Sequence, residues 1–515
     1  MKLGALLDLA HIVCPLGAED IEVGKIVTDS RKITEGCMFI CVRGLHFDGH
    51  DFINYAIEAG ASVIVAERVC DAWLGGAAIV TVDNTRRASA LLYNAWFGLP
   101  SQKMRFIGIT GTNGKTTVSC MIFALLEASG YRCGLIGTLG IFSSGLERLE
   151  DTVQDPLANM TTPDVEALYF ALSKLAEQGT DIVVMEVSSH ALALCKTDGI
   201  FFDTAVFTNL TQDHLDFHHT MEEYFLAKKK LFNNCRRAIV NIDDRYGKRI
   251  FEAFPDRCIS CSMAGEGDLC ASKIALCGLE GSSFTIGKRD GESLDVRLSL
   301  LGLFNVMNAL ECFGAASEYL EERNVEMGVV KGFFSLFSGV LGRMEKAVDN
   351  GKFCAFIDYA HTPDALEKLL RTAREFGGER RIVLLFGCGG DRDRGKRREM
   401  GQIASRLADF VIITSDNSRS EDRERIFSDI LRGIDKESPY ILVRERRDAI
   451  EYAVSHARAG DIILLAGKGH EKYEIDASGR HYFDEREILQ DAISKYRNKG
   501  LLPKISETNS GKESQ

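Results

Sequence analysis

The strongest constraint on the fold lies between Arg105 and Ser129. An apolar run, RFIGIT, leads into Gly111-Thr112-Asn113-Gly114-Lys115-Thr116-Thr117, and a helix-like stretch follows. A strand that feeds a glycine-rich turn and then opens a helix aims backbone N–H groups and the positive end of the helix dipole at one point, which suits a phosphate. There Lys115 is expected to reach the β- and γ-phosphates, with the Thr116 hydroxyl placed for Mg²⁺. The spacing departs from the usual phosphate-loop pattern, because Ile109 stands where its first glycine belongs. The bland alternative is a tight turn with a chance Gly-Lys pair; the strand before it and the helix after it weigh against that.

Such a loop needs a parallel sheet around it, and the flanking sequence supplies one. Further buried-type strands read at DIVVMEVS, TAVFTNL and RAIVNID, separated by helical or loop sequence. Before this block, residues 24 to 98 alternate short apolar runs (MFICV, SVIVAE, AIVTV) with helix-like stretches after Asp51 and Asn84, and Leu99-Pro100-Ser101 reads as a linker. After Cys258 come short, Gly-punctuated strands up to about Leu301, and a helix starts near Asn305. A third block opens at Gly339-Val340-Leu341-Gly342-Arg343. Its runs FCAFIDYA, RIVLLFGCG, DFVIITSDN, YILVRER and DIILLAGKG alternate with helices, which predicts a doubly wound sheet with ligand loops at the carboxyl ends of its strands. At 515 residues, 45% of them apolar, about three domains are expected. We place them at 1–98, 99–338 and 339–515. The polar tail from Ile505 is expected to be disordered.

A net charge of -12 argues against broad nucleic-acid binding, so an anionic ligand has to be gripped locally. The first residues lack the basic-then-apolar order of a signal peptide, and there is no uninterrupted apolar run of about 18 residues, so a soluble cytoplasmic protein without membrane insertion is expected. The 15 Cys are scattered, several inside apolar runs, and read as reduced thiols. Cys258 and Cys261, with Cys270 and Cys277 downstream, only loosely imitate zinc-ligand spacing.

Several further segments are distinctive in their order. They are Thr28-Asp29-Ser30-Arg31, Gly44 to His50 (GLHFDGH), Thr161-Thr162-Pro163, Glu186 to His190 (EVSSH) and Thr208 to Asp216 (TNLTQDHLD). Then come Asp358 to Asp364 (DYAHTPD), Gly387 to Asp393 (GCGGDRD) and Gly467 to Glu471 (GKGHE). With the phosphate loop TGTNGKTT, they make nearly the whole chain resemble the Mur ligases. The resemblance implies an α/β chain of three domains: a small N-terminal α/β domain binding a UDP-linked substrate, a central P-loop parallel-sheet ATPase domain, and a Rossmann-like C-terminal domain binding an amino acid. It implies ATP-dependent ligation of meso-diaminopimelate to UDP-N-acetylmuramoyl-L-Ala-D-Glu through an acyl phosphate, in peptidoglycan synthesis.

The resemblance also implies roles for residues. ATP falls to Gly111 through Thr117 and to Asn305, Arg343 and Asp358. Two Mg²⁺ ions fall to Thr116, Glu186, His214 and Lys228, with Lys228 carbamylated by CO₂ and Lys115, Glu186, His214 and Lys228 carrying the catalysis. From the residues alone, Lys228-Lys229-Lys230 reads as a solvated basic face. Ser30, Leu45 and His46 would hold the nucleotide end of the muramoyl substrate, and Thr161, Thr162, Ser188 and Lys196 its peptide end. Lys196 stands where the family usually has Arg, giving a point charge in place of a fork. Arg392, Asp416, Asn417, Ser418, Arg419, Gly467 and Glu471 would hold diaminopimelate, and Ser418 replaces the family's Pro. L-lysine as the third residue, folylpolyglutamate synthesis and a non-catalytic P-loop role are the alternatives.

Overall fold

The structure is a computed structural model that describes residues 1–44, 47–68, 76–149 and 160–498. Two of the anticipated substrate residues, Leu45 and His46, lie outside them. The chain divides into two compact units, Met1–Cys270 with Asn308–Val330, and Ala271–Met307 with the chain from Lys331 onward.

The first unit opens with a small parallel sheet, Ile26–Val27, Met38–Ile40, Val63–Ala66 and Ala78–Thr81 in that order. The helix Thr85–Trp96 follows, capped by Asn84, whose side chain accepts from the Arg87 N–H. A larger sheet runs Cys258–Ser262, Cys235–Asn241, Phe202–Phe207, Arg105–Thr110, Ile182–Glu186, Cys133–Gly137, all parallel. The strand carrying the phosphate loop is thus central, buried on both faces as its unbroken apolar sequence requires. Beyond Cys133–Gly137 the sheet gains two antiparallel strands, Gly140–Ser143 and Glu147–Arg148, which the sequence reading did not anticipate. They are too short to show an alternating pattern of their own.

In the second unit a six-stranded sheet runs Glu345–Asp349, Phe353–Asp358, Asp461–Ala466, Ile382–Phe386, Phe410–Ile413, Tyr440–Leu442, parallel except for its first, edge strand. Each central strand feeds two cores. Ile382, Leu384 and Phe386 join Ile462 and Leu464 on one face, while Val383 and Leu385 join Ile463 and Leu465 on the other. The chain runs from Phe353–Asp358 to Ile382–Phe386 and later inserts Asp461–Ala466 between them, so the order reverses there. That is where a doubly wound sheet opens a crevice at its carboxyl edge. Among the described residues no helix is long and apolar enough to cross a membrane.

Candidate active site

The phosphate loop is held by backbone geometry first. Gly114 adopts a left-handed φ of 87° and the helix Lys115–Ala128 starts from it, so the early N–H groups of that helix open onto the loop. A side chain at Gly111 would put its Cβ 1.9 Å from the Thr208 hydroxyl, so only glycine lets the turn close there. The segment Thr208–Thr211 then braces the loop. Thr112 N–H donates to the Asn209 carbonyl (2.8 Å), Asn113 N–H to the Asn209 side-chain oxygen (3.0 Å), and the Thr208 hydroxyl to the Asn113 carbonyl (2.6 Å). Asn308, on the helix Phe304–Glu322, also approaches Gly114; a Cβ there would lie 2.9 Å from the Asn308 side-chain oxygen.

Lys115 folds back over this loop, donating to the carbonyls of Gly111 (3.0 Å) and Thr112 (2.9 Å). Beside it, Glu186 ends its strand almost fully buried, at 1% exposure. It accepts from the Thr116 hydroxyl at 3.1 Å, from the Thr138 N–H at 2.8 Å and from the Thr138 hydroxyl at 3.1 Å. Thr138 in turn meets the Thr161 hydroxyl at 3.2 Å. The Thr162 hydroxyl donates to the Glu186 carbonyl and accepts from the Ser188 N–H. Lys196 is buried and pairs with Asp164 at 2.6 Å. The structure therefore gathers Thr116, Glu186, Thr161, Thr162 and Ser188 into one hydroxyl-rich cluster. Ser30 sits apart, at the start of a one-turn helix capped by Asp29.

Lys228 is the surprise of burial. Its helix, Met221–Asn233, turns Tyr224, Phe225, Ala227, Lys228, Leu231 and Phe232 inward, so the amine lies on an apolar stripe at 1% exposure. It donates to the Gly111 carbonyl at 2.8 Å and lies 4.6 Å from the centre of the Tyr224 ring. Burial, aided by the nearby positive charge of Lys115, pushes its pKa well below the usual lysine value. The neighbouring imidazoles are driven the same way. His214 sits in a left-handed conformation, edge-on to His190 at 4.8 Å, and burial is the main cause of its lowered pKa, with Lys115 and Lys228 adding. His190 and His218 fall to about 4, again mainly through burial. Neutral imidazoles can accept hydrogen bonds or ligate, where imidazolium cannot.

In the second unit the candidate amino-acid residues follow three adjacent strands. Asp416–Arg419 follow Phe410–Ile413, the glycine loop 387–393 follows Ile382–Phe386, and Gly467–Glu471 follow Asp461–Ala466. The first two loops are zipped together. Gly390 N–H donates to the Asn417 carbonyl at 2.9 Å, and Arg419 Nη1 donates to the carbonyls of Gly390 (2.9 Å) and Asn417 (3.3 Å). A Cβ on Gly390 would fall 1.9 Å from the Ser418 carbonyl, so glycine permits this contact. Arg419 itself adopts a φ of 52°. The Ser418 side chain is buried, whereas Arg392 is exposed. The Asn417 amide nitrogen donates to Glu471 at 2.8 Å, and the buried Lys468, to which the sequence reading gave no role, lies beside both.

Also in the second unit, Asn305 donates to the Leu301 carbonyl at 2.8 Å. The Asp358 carboxylate accepts from the N–H groups of Met344 (2.6 Å) and Ala360 (2.8 Å), and the Arg343 guanidinium stacks on the Tyr359 ring. Cys258 and Cys261 lie on one strand with free thiols. Among the described residues, no group of three or more His, Cys, Asp or Glu side chains could hold a metal ion.

Comparison with known proteins meets this geometry. Residues 109–316 match the Mur ligase middle domain, 342–469 the Mur ligase glutamate ligase domain, and 22–92 the Mur ligase family catalytic domain. A protein of Syntrophomonas wolfei named UDP-N-acetylmuramoyl-L-alanyl-D-glutamate--2,6-diaminopimelate ligase is 40% identical over 500 residues, covering 96% of this chain and 99% of that one. The chain belongs to the Mur ligase family. A Clostridium acetobutylicum Mur ligase, named as the same ligase with the suffix 1, is 42% identical over 485 residues, 94% of this chain and 97% of the relative. A solved structure titled as UDP-N-acetylmuramoyl-L-alanyl-D-glutamate--2,6-diaminopimelate ligase superposes with a TM-score of 0.66 at 32% identity, covering 96% of this chain and 100% of that one. The three-domain Mur ligase architecture, α/β with parallel sheets, is the architecture of this chain.

Sequence reasoning quoted the segments holding Thr208–Thr211 and Lys468 but gave these residues no role, and it missed the link Thr138. Lys468 had a signal: it is the one charged residue inside the short run Gly467-Lys468-Gly469, directly after an unbroken apolar strand.

Proposed function

We propose that this Mur ligase uses ATP to join meso-diaminopimelate to the D-glutamyl carboxylate of UDP-N-acetylmuramoyl-L-Ala-D-Glu in the cytoplasm. The printed names of its relatives support the substrates. One observation carries the ligase reading in this chain itself. The loop lysine, the Thr116 hydroxyl and the buried Glu186 carboxylate converge at the carboxyl end of the central strand, the arrangement phosphoryl transfer from a nucleotide requires.

In this reading a carboxylate oxygen of the substrate attacks the γ-phosphorus and ADP leaves. The amine nitrogen then attacks the acyl carbon, phosphate departs, and the nitrogen gives up a proton. Lys115 neutralises charge on the transferring phosphoryl, helped by the N–H groups of residues 111–117. Thr161, Thr162, Ser188 and Lys196 orient the peptide carboxylate, Ser30, Leu45 and His46 the nucleotide end, and Asn305, Arg343 and Asp358 serve ATP. Hydroxyl and carboxylate oxygens suit Mg²⁺. Thr116, Glu186, His214 and a carbamylated Lys228 would hold two Mg²⁺ ions, which when bound would screen the phosphate charge. A buried, uncharged amine is the form of lysine able to add CO₂.

A folylpolyglutamate synthetase loop typically reads GTNGKGS, whereas here Thr116 and Thr117 follow Lys115. Purified protein with ATP, Mg²⁺ and UDP-muramoyl dipeptide, given separately meso-diaminopimelate, L-lysine or D-glutamate, tests the reading by product mass. Only the diaminopimelate tripeptide is expected; no product with any amine would overturn it.

A further inference from the structure

Lys468 is the one lysine of the second unit whose side chain is fully buried among the described residues. Its ammonium donates to the Asn417 side-chain oxygen at 3.0 Å and to the Tyr473 carbonyl at 2.8 Å. It also lies 3.9 Å from an Asp416 carboxylate oxygen and 4.0 Å from one of Glu471. The Asn417 oxygen accepts a second bond, from the Ile475 N–H at 3.0 Å. With two donors on its oxygen, the Asn417 amide has one orientation, and its nitrogen must face Glu471, where it sits at 2.8 Å. A buried ammonium therefore decides which way an amide points, and the amide aims a carboxylate.

Four further groups face this cluster. Arg446, fully buried and paired with Glu485 at 2.8 Å, donates to the carbonyls of Ser415 and Ala466, the residues just before Asp416 and Gly467. Tyr473 lies beside Glu471, and His361 lies near enough to Asp416 to act on its charge. Burial pushes the Asp416 carboxyl up, but Lys468 and Arg446, with the Asn417 N–H and His361 adding, bring it below its usual value. Burial and Asp416 hold the Glu471 carboxyl above its usual value, against the pull of Lys468.

From this geometry we infer that Lys468 is a positioning residue for amino-acid selection: by locking the Asn417 amide and balancing Asp416, it aims Glu471 at the distal ammonium of a diamino-diacid. The inference rests on the function proposed above. Without Lys468 the Asn417 oxygen keeps only its backbone donor, the amide can flip, and Glu471 faces Asp416 with no cation between.

The test is kinetic. Lys468→Met keeps length and removes charge. KM for meso-diaminopimelate is expected to rise roughly ten- to hundredfold, the scale set by misplacing a site group by about 1 Å. KM for ATP and for the UDP-linked dipeptide should stay within about twofold, because the bonds of the Lys468 ammonium go to Asn417 and Tyr473, neither of which is assigned to those substrates. Hydroxylamine trapping of the acyl phosphate, which needs no amino acid, should be retained. Lys468→Gln, which keeps a neutral donor toward Asn417, is expected to fall between the two and gives the same comparison if Lys468→Met is insoluble. Combining Lys468→Met with Asn417→Leu should be no worse than the poorer single variant, since both break one link. An unchanged diaminopimelate-to-lysine ratio in Lys468→Met and Lys468→Gln, additive losses in the double variant, or loss of hydroxamate formation alongside would overturn the inference. Failure of the wild-type protein to make any tripeptide would instead overturn the function it rests on.

Discussion

Lys115 and Lys228 share one acceptor, the carbonyl oxygen of Gly111, at 3.0 Å and 2.8 Å. Burial, and after it the repulsion between two amines on one carbonyl, lowers the pKa of Lys228, the more deeply buried of the two. In the function proposed above, the arrangement pairs a cation for phosphate with an amine that carbamylation would turn into an anionic ligand. Lys228→Ala is therefore expected to be nearly inactive and partly restored by a short carboxylic acid in the buffer, which returns oxygen atoms to the vacated space. Restoration by methylamine and not by acetate would show that positive charge is what the site lacks.

Lys115→Ala is expected to abolish precursor-dependent phosphate release while leaving the thermal midpoint within about 2 °C, because its bonds to Gly111 and Thr112 are to loop carbonyls at a partly exposed site. Phosphate release near the wild-type rate, followed by a coupled assay, would remove this lysine from the chemistry.

The phosphate loop was legible because strand, glycine turn and helix are contiguous, and the positions of the three loops proposed for the amino acid because each directly follows an apolar run. Lys228 was less so. Read as Lys228-Lys229-Lys230 it is a basic face, yet Tyr224, Lys228 and Leu231 are spaced four and three apart, so the lysine lies on the helix's apolar stripe. The brace of Thr208–Thr211 spans about 95 residues of sequence to reach Asn113, and no local pattern announces a contact of that range. The orientation of the Asn417 amide was equally hidden, since it depends on Lys468 and Ile475, 51 and 58 residues away.

Glu311 is fully buried in the helix Phe304–Glu322, and among the described residues neither carboxyl oxygen has a hydrogen-bond partner. Burial raises its pKa well above the usual range, so the native state keeps a proton that the unfolded chain releases once the pH passes its ordinary value. Stability then falls as pH rises. Glu311→Leu is expected to raise the melting temperature, and by more at pH 8 than at pH 5, as removing an unsatisfied buried group recovers about 1–3 kcal/mol. A lower melting temperature for the variant at both pH values would contradict this.

Glu421 behaves in the opposite sense. Its bond to the buried Arg397 guanidinium, at 2.7 Å, is the main cause of a pKa lowered to about 2. Here the folded value lies below the unfolded one, so the stabilisation is complete above the unfolded pKa and is lost as the pH falls from about 5 toward 2. Differential scanning calorimetry should show Glu421→Gln less stable than wild type at pH 7 and flatter in its response to acid. Parallel curves for the two proteins would assign the acid sensitivity elsewhere.

The last expectation concerns Arg419. Diaminopimelate differs from lysine by a second amino-acid head, so preferring it takes a cation for the extra carboxylate and an acceptor for the extra ammonium. Arg419 is anchored through Nη1 to Gly390 and Asn417, and its N–H donates to the Ile475 carbonyl, so loop 387–393 and the hairpin Tyr473–Tyr482 hold it from two sides. That support takes over the stiffening a proline at position 418 would give by fixing φ. In the function proposed above, this anchoring sets the guanidinium in advance to meet a substrate carboxylate with its other edge, where a bidentate pair is strongest. Meso-diaminopimelate is expected to be preferred over L-lysine by at least about a hundredfold in kcat/KM, with Arg419→Ala removing most of that preference and leaving ATP use intact. Ser418→Pro, by contrast, should change the ratio by less than about threefold, because the loop is already pinned. A wild-type enzyme that used the two amino acids equally would show that this loop does not select the third residue, while the ligase chemistry at the phosphate loop would stand.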